Sequence, residues 1–333
     1  MATGVLVLSW KDIEPLLDPD EVISAVEEAF REKGLGRVQM PPKMYLFFTE
    51  YNGDLRVMPA YIPKLGMAGV KVVNVHPDNP KRGIFTVMAT ILLVDPETGT
   101  PLSVMDGTLI TNHRTGAGGA IAIKYLARRD SRILGVIGAG VQGHIQTVYS
   151  SRVMKIEKVK IFDIIRSKAE NYKREVERAL GVDVIVCDNA ECATRGVDVL
   201  VTATPARGPV VKKEWVEPGT HINAIGADAP GKQELDPAIL KTAKIVVDDL
   251  EQASHSGEIN VPLSQGIISM EDIYAELGEV VAGKKPGRVL DEEITIFDST
   301  GLAIQDVATA RLVYGKALER KLGVFIDIVK TSP

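Results

Sequence analysis

Gly138-Ala139-Gly140-Val141-Gln142-Gly143 narrows the possible folds of this chain more than any other stretch. It directly follows the apolar, strand-like run Ile133-Leu134-Gly135-Val136-Ile137 and directly precedes a helical pattern. At this spacing the first glycine permits a tight turn, the second lets backbone approach a pyrophosphate, and the third lets helix and strand pack closely. Amides of Val141 and Gln142 at the helix start would face the anion. Asp163 closes the next strand-like run. A carboxylate there accepts hydrogen bonds from the adenosine ribose hydroxyls and repels a 2′-phosphate, so the expected cofactor is NAD rather than NADP. Arg166, three residues on, is either a solvated residue of the next helix or a clamp for such a phosphate.

Around this motif the chain alternates strand and helix. Runs at 132–137, 158–163, 182–187, 197–204, 221–226, 244–249 and 293–299 are almost continuously apolar, as strands covered on both faces are. The first part of the chain differs. Asp18-Pro19 supplies an N-cap and a first-turn proline for a helix over 20–33 that Gly34 ends. Short strand-like runs follow at 43–49, 55–61, 68–75, 86–94 and 101–105, the last two joined through Asp95-Pro96-Glu97-Thr98-Gly99, and together they read as an antiparallel sheet. A long helical pattern over 302–322 leads into an apolar tail at 324–329. The expected fold class is α/β, a Rossmann-type doubly wound parallel sheet domain plus an α+β substrate-binding and dimerisation domain. The expected division is 1–115 with 310–333 for the α+β part, and 116–309 for an inserted NAD-binding domain.

Length and charge set further bounds. At 333 residues the chain is long enough for about two domains. A formal net charge of −5 offers no basic surplus for a phosphate backbone, so no nucleic-acid partner is expected. No apolar run approaches the roughly 20 residues of a spanning helix, and Met1 to Trp10 carry neither a basic n-region nor a cleavage signature. A cytoplasmic chain with no membrane partner is the expectation. The two cysteines, Cys187 and Cys192, read as buried or semi-buried thiols. His76, His113, His144, His221 and His255 include no pair at ligand spacing, so no metal is expected. The absence of a G-x-S-x-G elbow leaves a hydrolase triad without support.

Three ionisable residues stand out. Lys71 interrupts the apolar run Met67-Ala68-Gly69-Val70-Lys71-Val72-Val73-Asn74-Val75, sharing a face with Gly69 and Val73. It is either a lysine snorkelling from an edge strand or an ammonium aimed at a site, where burial would lower its pKa. Arg114 precedes the small-residue helix start Thr115-Gly116-Ala117-Gly118-Gly119-Ala120 and is either a surface residue or a bidentate partner for a carboxylate or phosphate. Asp228 falls just past the C-terminal end of a parallel-strand run, as a turn or capping aspartate or as a proton acceptor. Thr202-Ala203-Thr204-Pro205 and Asp298-Ser299-Thr300-Gly301 close two other strands, as ordinary turns or as walls of a nicotinamide pocket.

These residues coincide with a family pattern. Met58-Pro59-Ala60, Gly69 to Asn74, Arg114-Thr115-Gly116-Ala117, the Gly138 to Gly143 turn, Gly226-Ala227-Asp228 with Pro230-Gly231-Lys232, and Phe297-Asp298-Ser299-Thr300-Gly301 make the chain resemble the ornithine cyclodeaminase and mu-crystallin family over nearly its whole length. Within the family it is most similar to the archaeal alanine dehydrogenase branch. The resemblance implies a homodimer acting on a small amino or keto acid. It makes Lys71 and Asp228 catalytic, and Lys43, Lys71 and Arg114 substrate-binding. To the cofactor it assigns Thr86, Arg114, Gly138, Gly140, Val141, Gln142, Gly143, Asp163, Thr204, Ile225, Gly226, Ala227, Lys232 and Ser299. The implied reaction is NAD-dependent oxidative deamination of L-alanine to pyruvate and ammonium, and its reverse. Ornithine cyclodeamination, ketimine reduction and a mu-crystallin-like binding role are the alternatives. Cyclodeaminases place an arginine near the position of Lys43, and the lysine here points away from ornithine.

Overall fold

The computed structural model describes residues 4–330, which divide into two compact units, 4–114 with 302–330 and 115–301. The first unit is built on a seven-stranded sheet. From edge to edge its strands are Val324–Ile326, Val5–Leu8, Pro101–Asp106, Val87–Val94, Met67–Val75, Gly53–Ile62 and Met44–Phe48. Neighbours are antiparallel except Val5–Leu8 with Pro101–Asp106, which run parallel. The tail strand therefore closes the sheet beside a strand that stands almost at the start of the chain, in register Val5 with Ile326. Four residues at Val5–Leu8 are too few to show a periodicity, and sequence reading passed over them.

One helix, Ala303–Arg320, lies on a face of this sheet, and a second, Pro19–Gly34, packs against that helix. Pro19–Gly34 begins as its cap predicts, the Asp18 carboxylate accepting from the Asp20 and Glu21 amides. Ala303–Arg320 is lined by small residues in its first turns, which lets it lie close to the strands. A Cβ added at Gly69 would stand 3.2 Å from Val307 Cγ2 and 2.8 Å from the Leu92 carbonyl, so only glycine accommodates that approach. The strand Met67–Val75 alternates strictly, with Met67, Gly69, Lys71 and Val73 buried beneath the helix and Ala68, Val70 and Val72 on the other face.

The second unit holds an eight-stranded, wholly parallel sheet. Its order is Ile273–Glu276, Lys244–Val247, Thr295–Asp298, His221–Ala224, Val199–Thr202, Ile133–Ile137, Lys158–Phe162 and Asp183–Val186. Order reverses beside Ile133–Ile137, as in doubly wound sheets. Apolar side chains fill a core on each face. Leu134, Val136, Val159 and Ile161 pack with Ala169, Tyr172 and Val176 of the helix Arg166–Leu180. Ile137, Leu200, Ile222 and Ile245 join the opposite core with Ala193, Ile239 and Ala253. The fold is α/β, a Rossmann-type parallel sheet with a mixed α+β unit. A two-stranded sheet, Arg207–Val211 with Gln233–Leu235, and the short strand Ile273–Glu276 went unread because each is brief and flanked by polar loop sequence.

One expectation is corrected. Cys187 and Cys192 are not thiols but a disulfide, with Cα atoms 5.6 Å apart. The Asn189 side chain caps the short helix Ala190–Thr194 by accepting from the Cys192 amide, and this turn folds the second cysteine back onto the end of the Asp183–Val186 strand. No helix among the described residues is long and apolar enough to cross a membrane.

Candidate active site

In the first unit Lys71 lies on a central strand, between Gly53–Ile62 and Val87–Val94, and is 1% exposed, which removes the edge-lysine reading. Its Nζ donates to Asp306 Oδ1 at 2.8 Å and to Thr111 Oγ1 at 3.3 Å. Arg114 is also buried rather than superficial. Its Nε donates to the same Asp306 Oδ1 at 2.9 Å, and its Nη1 to Gln305 Oε1 at 3.2 Å. Lys43 is buried and close enough for its charge to act on Lys71. Burial, then the Arg114 guanidinium, and least of all Lys43 push the Lys71 ammonium down to about 7, while Asp306 pulls the other way. His113, one residue before Arg114, is held down to about 4 by burial. Thr86 is half-buried in the same unit, its carbonyl accepting from the His76 amide.

Asp306 and Gln305 escaped sequence reading. A single acid in a helical pattern ordinarily reads as its solvated side; the only available signal was that Asp306 sits among Ala303, Ile304, Val307, Ala308 and Ala310 with no polar stripe around it. Asp306 Oδ2 and Gln305 Nε2 are buried and have no partner among the described residues. Buried polar atoms are nearly always hydrogen-bonded, so this pair is an exception within the Lys71–Arg114 cluster.

The second unit carries the glycine turn. Gly138 has φ +107, and a Cβ there would stand 2.5 Å from the Ala203 carbonyl. A Cβ at Gly143 would lie 2.1 Å from the Gly138 carbonyl, which explains the third glycine by helix–strand packing. Gly140, N-cap of the helix Val141–Ser150, has nothing within 4 Å of its Cβ position. Nothing in the fold requires glycine there, so its missing side chain leaves open space at the helix N-terminus, in front of the Val141 and Gln142 amides. Asp163 Oδ2 accepts from the Ala139 amide at 2.9 Å and Oδ1 from the Ile165 amide at 2.8 Å, which fixes the carboxylate beside the turn. These residues fit a dinucleotide: a helix N-terminus free of side chains at Gly140, with a carboxylate held next to it. Arg166 is exposed and ion-paired with Asp188 and Glu170.

At the carboxyl ends of neighbouring strands in this unit stand the other predicted contacts. Ile225 and Ala227 are buried, and the Ile225 amide donates to the Thr202 carbonyl. Ser299 is buried with its amide on the Ala224 carbonyl at 3.1 Å. Asp228 and Lys232 pair across one turn of loop, Nζ to Oδ1 at 2.5 Å, with the Asp228 side chain still one-third exposed. Thr204 and Gly226 share a partner that sequence reading missed, the buried Glu234, whose Oε1 accepts the Thr204 amide at 2.7 Å and Oε2 the Gly226 amide at 2.9 Å. Among the described residues no three His, Cys, Asp or Glu side chains are grouped to hold a metal ion.

Residues 4–321 match the model of the ornithine cyclodeaminase/mu-crystallin family. An alanine dehydrogenase from Archaeoglobus fulgidus is 57% identical over 319 residues, covering 96% of this chain and 97% of that protein. Among solved structures, an archaeal alanine dehydrogenase dimer with bound NAD superposes with a TM-score of 0.95 at 56% identity, over 98% of this chain and 100% of that one. The Thermococcus litoralis Delta(1)-pyrroline-2-carboxylate reductase in complex with NADH and L-proline also gives 0.95, at 43% identity over 97% and 100% of the two chains. Matched over nearly its whole length by the family model and by relatives of this identity, the chain belongs to the ornithine cyclodeaminase/mu-crystallin family.

Proposed function

We propose that this protein is an NAD-dependent amino-acid dehydrogenase that interconverts L-alanine with pyruvate and ammonium. The observation that carries the choice of substrate is the 57% identity, over 96% of the chain, to an alanine dehydrogenase. The chemistry of the residues supports the reaction class. Lys71 and Arg114 are buried cations sharing one carboxylate, so together they retain positive charge for the carboxylate of an amino or keto acid. Lys43 adds to that charge.

Bound at the glycine turn, the dinucleotide supplies a nicotinamide that accepts or gives hydride at Cα of the substrate. Thr86, Thr204, Ile225, Gly226, Ala227, Lys232 and Ser299 are its proposed contacts on the nicotinamide side, and Arg114 serves both molecules. Asp228 is the proton acceptor: partly exposed, and held by Lys232, it can orient a water and take its proton as the amine-bearing carbon is hydrated. Lys71 is a second proton carrier, because an ammonium brought down to about 7 exchanges protons near neutrality. A homodimer is part of the same reading.

The test is a substrate panel followed by NADH absorbance, run with NAD+ and with NADP+. L-alanine with NAD+ is expected to give rising absorbance, and Lys71→Ala to lower kcat far more than it weakens NAD affinity. Ornithine converted to proline without net NADH would instead establish a cyclodeaminase. Consumption of NADH by a cyclic imine, with no turnover of alanine, would establish a reductase like the Thermococcus litoralis relative.

A further inference from the structure

Glu234 is fully buried at the centre of the three-residue strand Gln233–Leu235, and its carboxylate is hydrogen-bonded to backbone amides rather than to a lysine or arginine. A carboxylate in such a place is costly unless its lone pairs are used. Here they are used by backbone. One oxygen takes the Thr204 amide, two residues past the strand Val199–Thr202, and the other takes the Gly226 amide, two residues past the adjacent strand His221–Ala224. A Cβ at Gly226 would fall 2.2 Å from the Thr204 carbonyl and 2.6 Å from Glu234 Oε2, so the two loops and the carboxylate are in close contact.

Glu234 is in turn held by a second buried acid. The Glu258 carboxylate accepts the Glu234 amide at 3.0 Å and the Leu235 amide at 2.7 Å. Burial and the neighbouring Glu234 push Glu258 well above the usual carboxylate range, and burial raises Glu234 as well. The same device recurs on the neighbouring strands: Asp298 accepts the Ile259 amide at 3.1 Å, and Asp248 the Thr300 and Gly301 amides at 2.7 Å each. Carboxyl ends of strands are where open α/β sheets seat their ligands, and these loops are tied by carboxylates in place of regular ladder bonds. Of the four acids, Glu234 alone bridges two loops that both carry proposed contacts, Thr204 on one and Gly226 with Asp228 and Lys232 on the other.

We propose that Glu234 is a positioning residue of the dinucleotide site, its single carboxylate fixing the Thr204 and Gly226 loops in the spacing that the nicotinamide end of the cofactor requires. The proposal rests on the dinucleotide reading given above. It separates the two ends of the cofactor. The pyrophosphate and adenosine contacts, Gly138 to Gly143 and Asp163, share no hydrogen bond with Glu234 among the described residues; Gly138 touches the Thr204 loop only by packing against Ala203, so loss of Glu234 acts chiefly on the nicotinamide end.

The experiment compares ADP-ribose, which lacks nicotinamide, with NADH. Both are titrated by calorimetry into the full-length protein and into Glu234→Gln, with NADH fluorescence followed in parallel. Glutamine keeps the shape but turns an amide donor toward one of the two N–H groups. The expected result is ADP-ribose affinity within about twofold of the unmutated protein, NADH affinity reduced about tenfold or more, and loss of the fluorescence change that reports an ordered nicotinamide. Equal weakening of both ligands would make Glu234 merely structural, and no change in either would make it dispensable; each overturns the proposal. Should Glu234→Gln fail to fold, Glu234→Asp keeps the charge, is one methylene too short to reach both amides, and carries the same comparison. Failure of the unmutated protein to bind either ligand would overturn the dinucleotide reading itself, and is seen before any variant is made.

Discussion

Lys71 shows how a side chain acquires a property that its residue type does not have. An exposed lysine stays charged far above neutrality, whereas here burial and the Arg114 charge bring the group to about 7 despite contact with Asp306. Its folded-state pKa lies below its unfolded value, so the free protein holds the ammonium below pH 7 and loses it above. An anionic ligand binds the charged form. Affinity for pyruvate, measured as an inhibition or Michaelis constant between pH 5.5 and 9, is therefore expected to be flat below about 7 and to fall toward about tenfold per unit above it. The other groups facing Lys71 are Arg114, Lys43, Thr111 and Asp306, and His113 nearby is neutral across this range. Lys71→Met should flatten the profile, and Asp306→Asn, by removing the one group that favours the charge, should move its break to lower pH. A break that stays put in Lys71→Met would assign it to another residue. Lys71 was visible in sequence because a charge inside an unbroken apolar run is anomalous. Asp306 and Glu234 were not, since what makes them unusual is their surroundings, supplied by segments far away in the chain.

At the scale of elements, the turn from Ile133–Ile137 into Val141–Ser150 was the most legible part, because three glycines have three distinct steric reasons. Those reasons make opposite predictions for two of them. Gly143→Ala places a Cβ 2.1 Å from the Gly138 carbonyl and must disturb the fold. Overpacking of this kind costs about 1–3 kcal/mol, to be seen as a lowered urea midpoint. Gly140→Ala meets nothing within 4 Å, and its φ of −84 suits any residue, so stability should change by no more than about 0.5 kcal/mol while NADH affinity falls at least tenfold. Unaltered NADH binding in Gly140→Ala would mean that the space before the helix is not where the pyrophosphate lies. Asp18 as cap, the alternating strand around Lys71 and the apolar parallel strands were legible for the same reason: each depends on near neighbours in sequence. Arg207–Val211, Gln233–Leu235 and the Cys187–Cys192 disulfide depend on packing that periodicity does not encode.

For the molecule as a whole, the sheet of the first unit has one covered face and one that is apolar and only partly buried. Opposite the Lys71 face, the register places Leu46 beside Leu55, Met44 beside Val57, Val57 beside Val72, and Val70 beside Leu92. Met44 and Leu46 are more than half exposed. Contiguous apolar surface of this kind on a sheet points to a subunit contact, in keeping with the proposed dimer. Val72→Lys, which sets an ammonium in the middle of that face, is expected to convert a dimer to monomers in sedimentation velocity, and a persistent dimer would place the contact elsewhere. The same unit has a consequence for biosynthesis. Lys71 and its carboxylate partner are 235 residues apart, and the strand that completes the sheet edge is Val324–Ile326. On the ribosome the parallel-sheet unit can emerge entire, every strand present, while the earlier half of the other unit still waits for its last helix and strand. Until that helix leaves the exit tunnel, Lys71 has neither the cover that buries it nor its counter-ion Asp306, so the first domain to be started is the last to be finished.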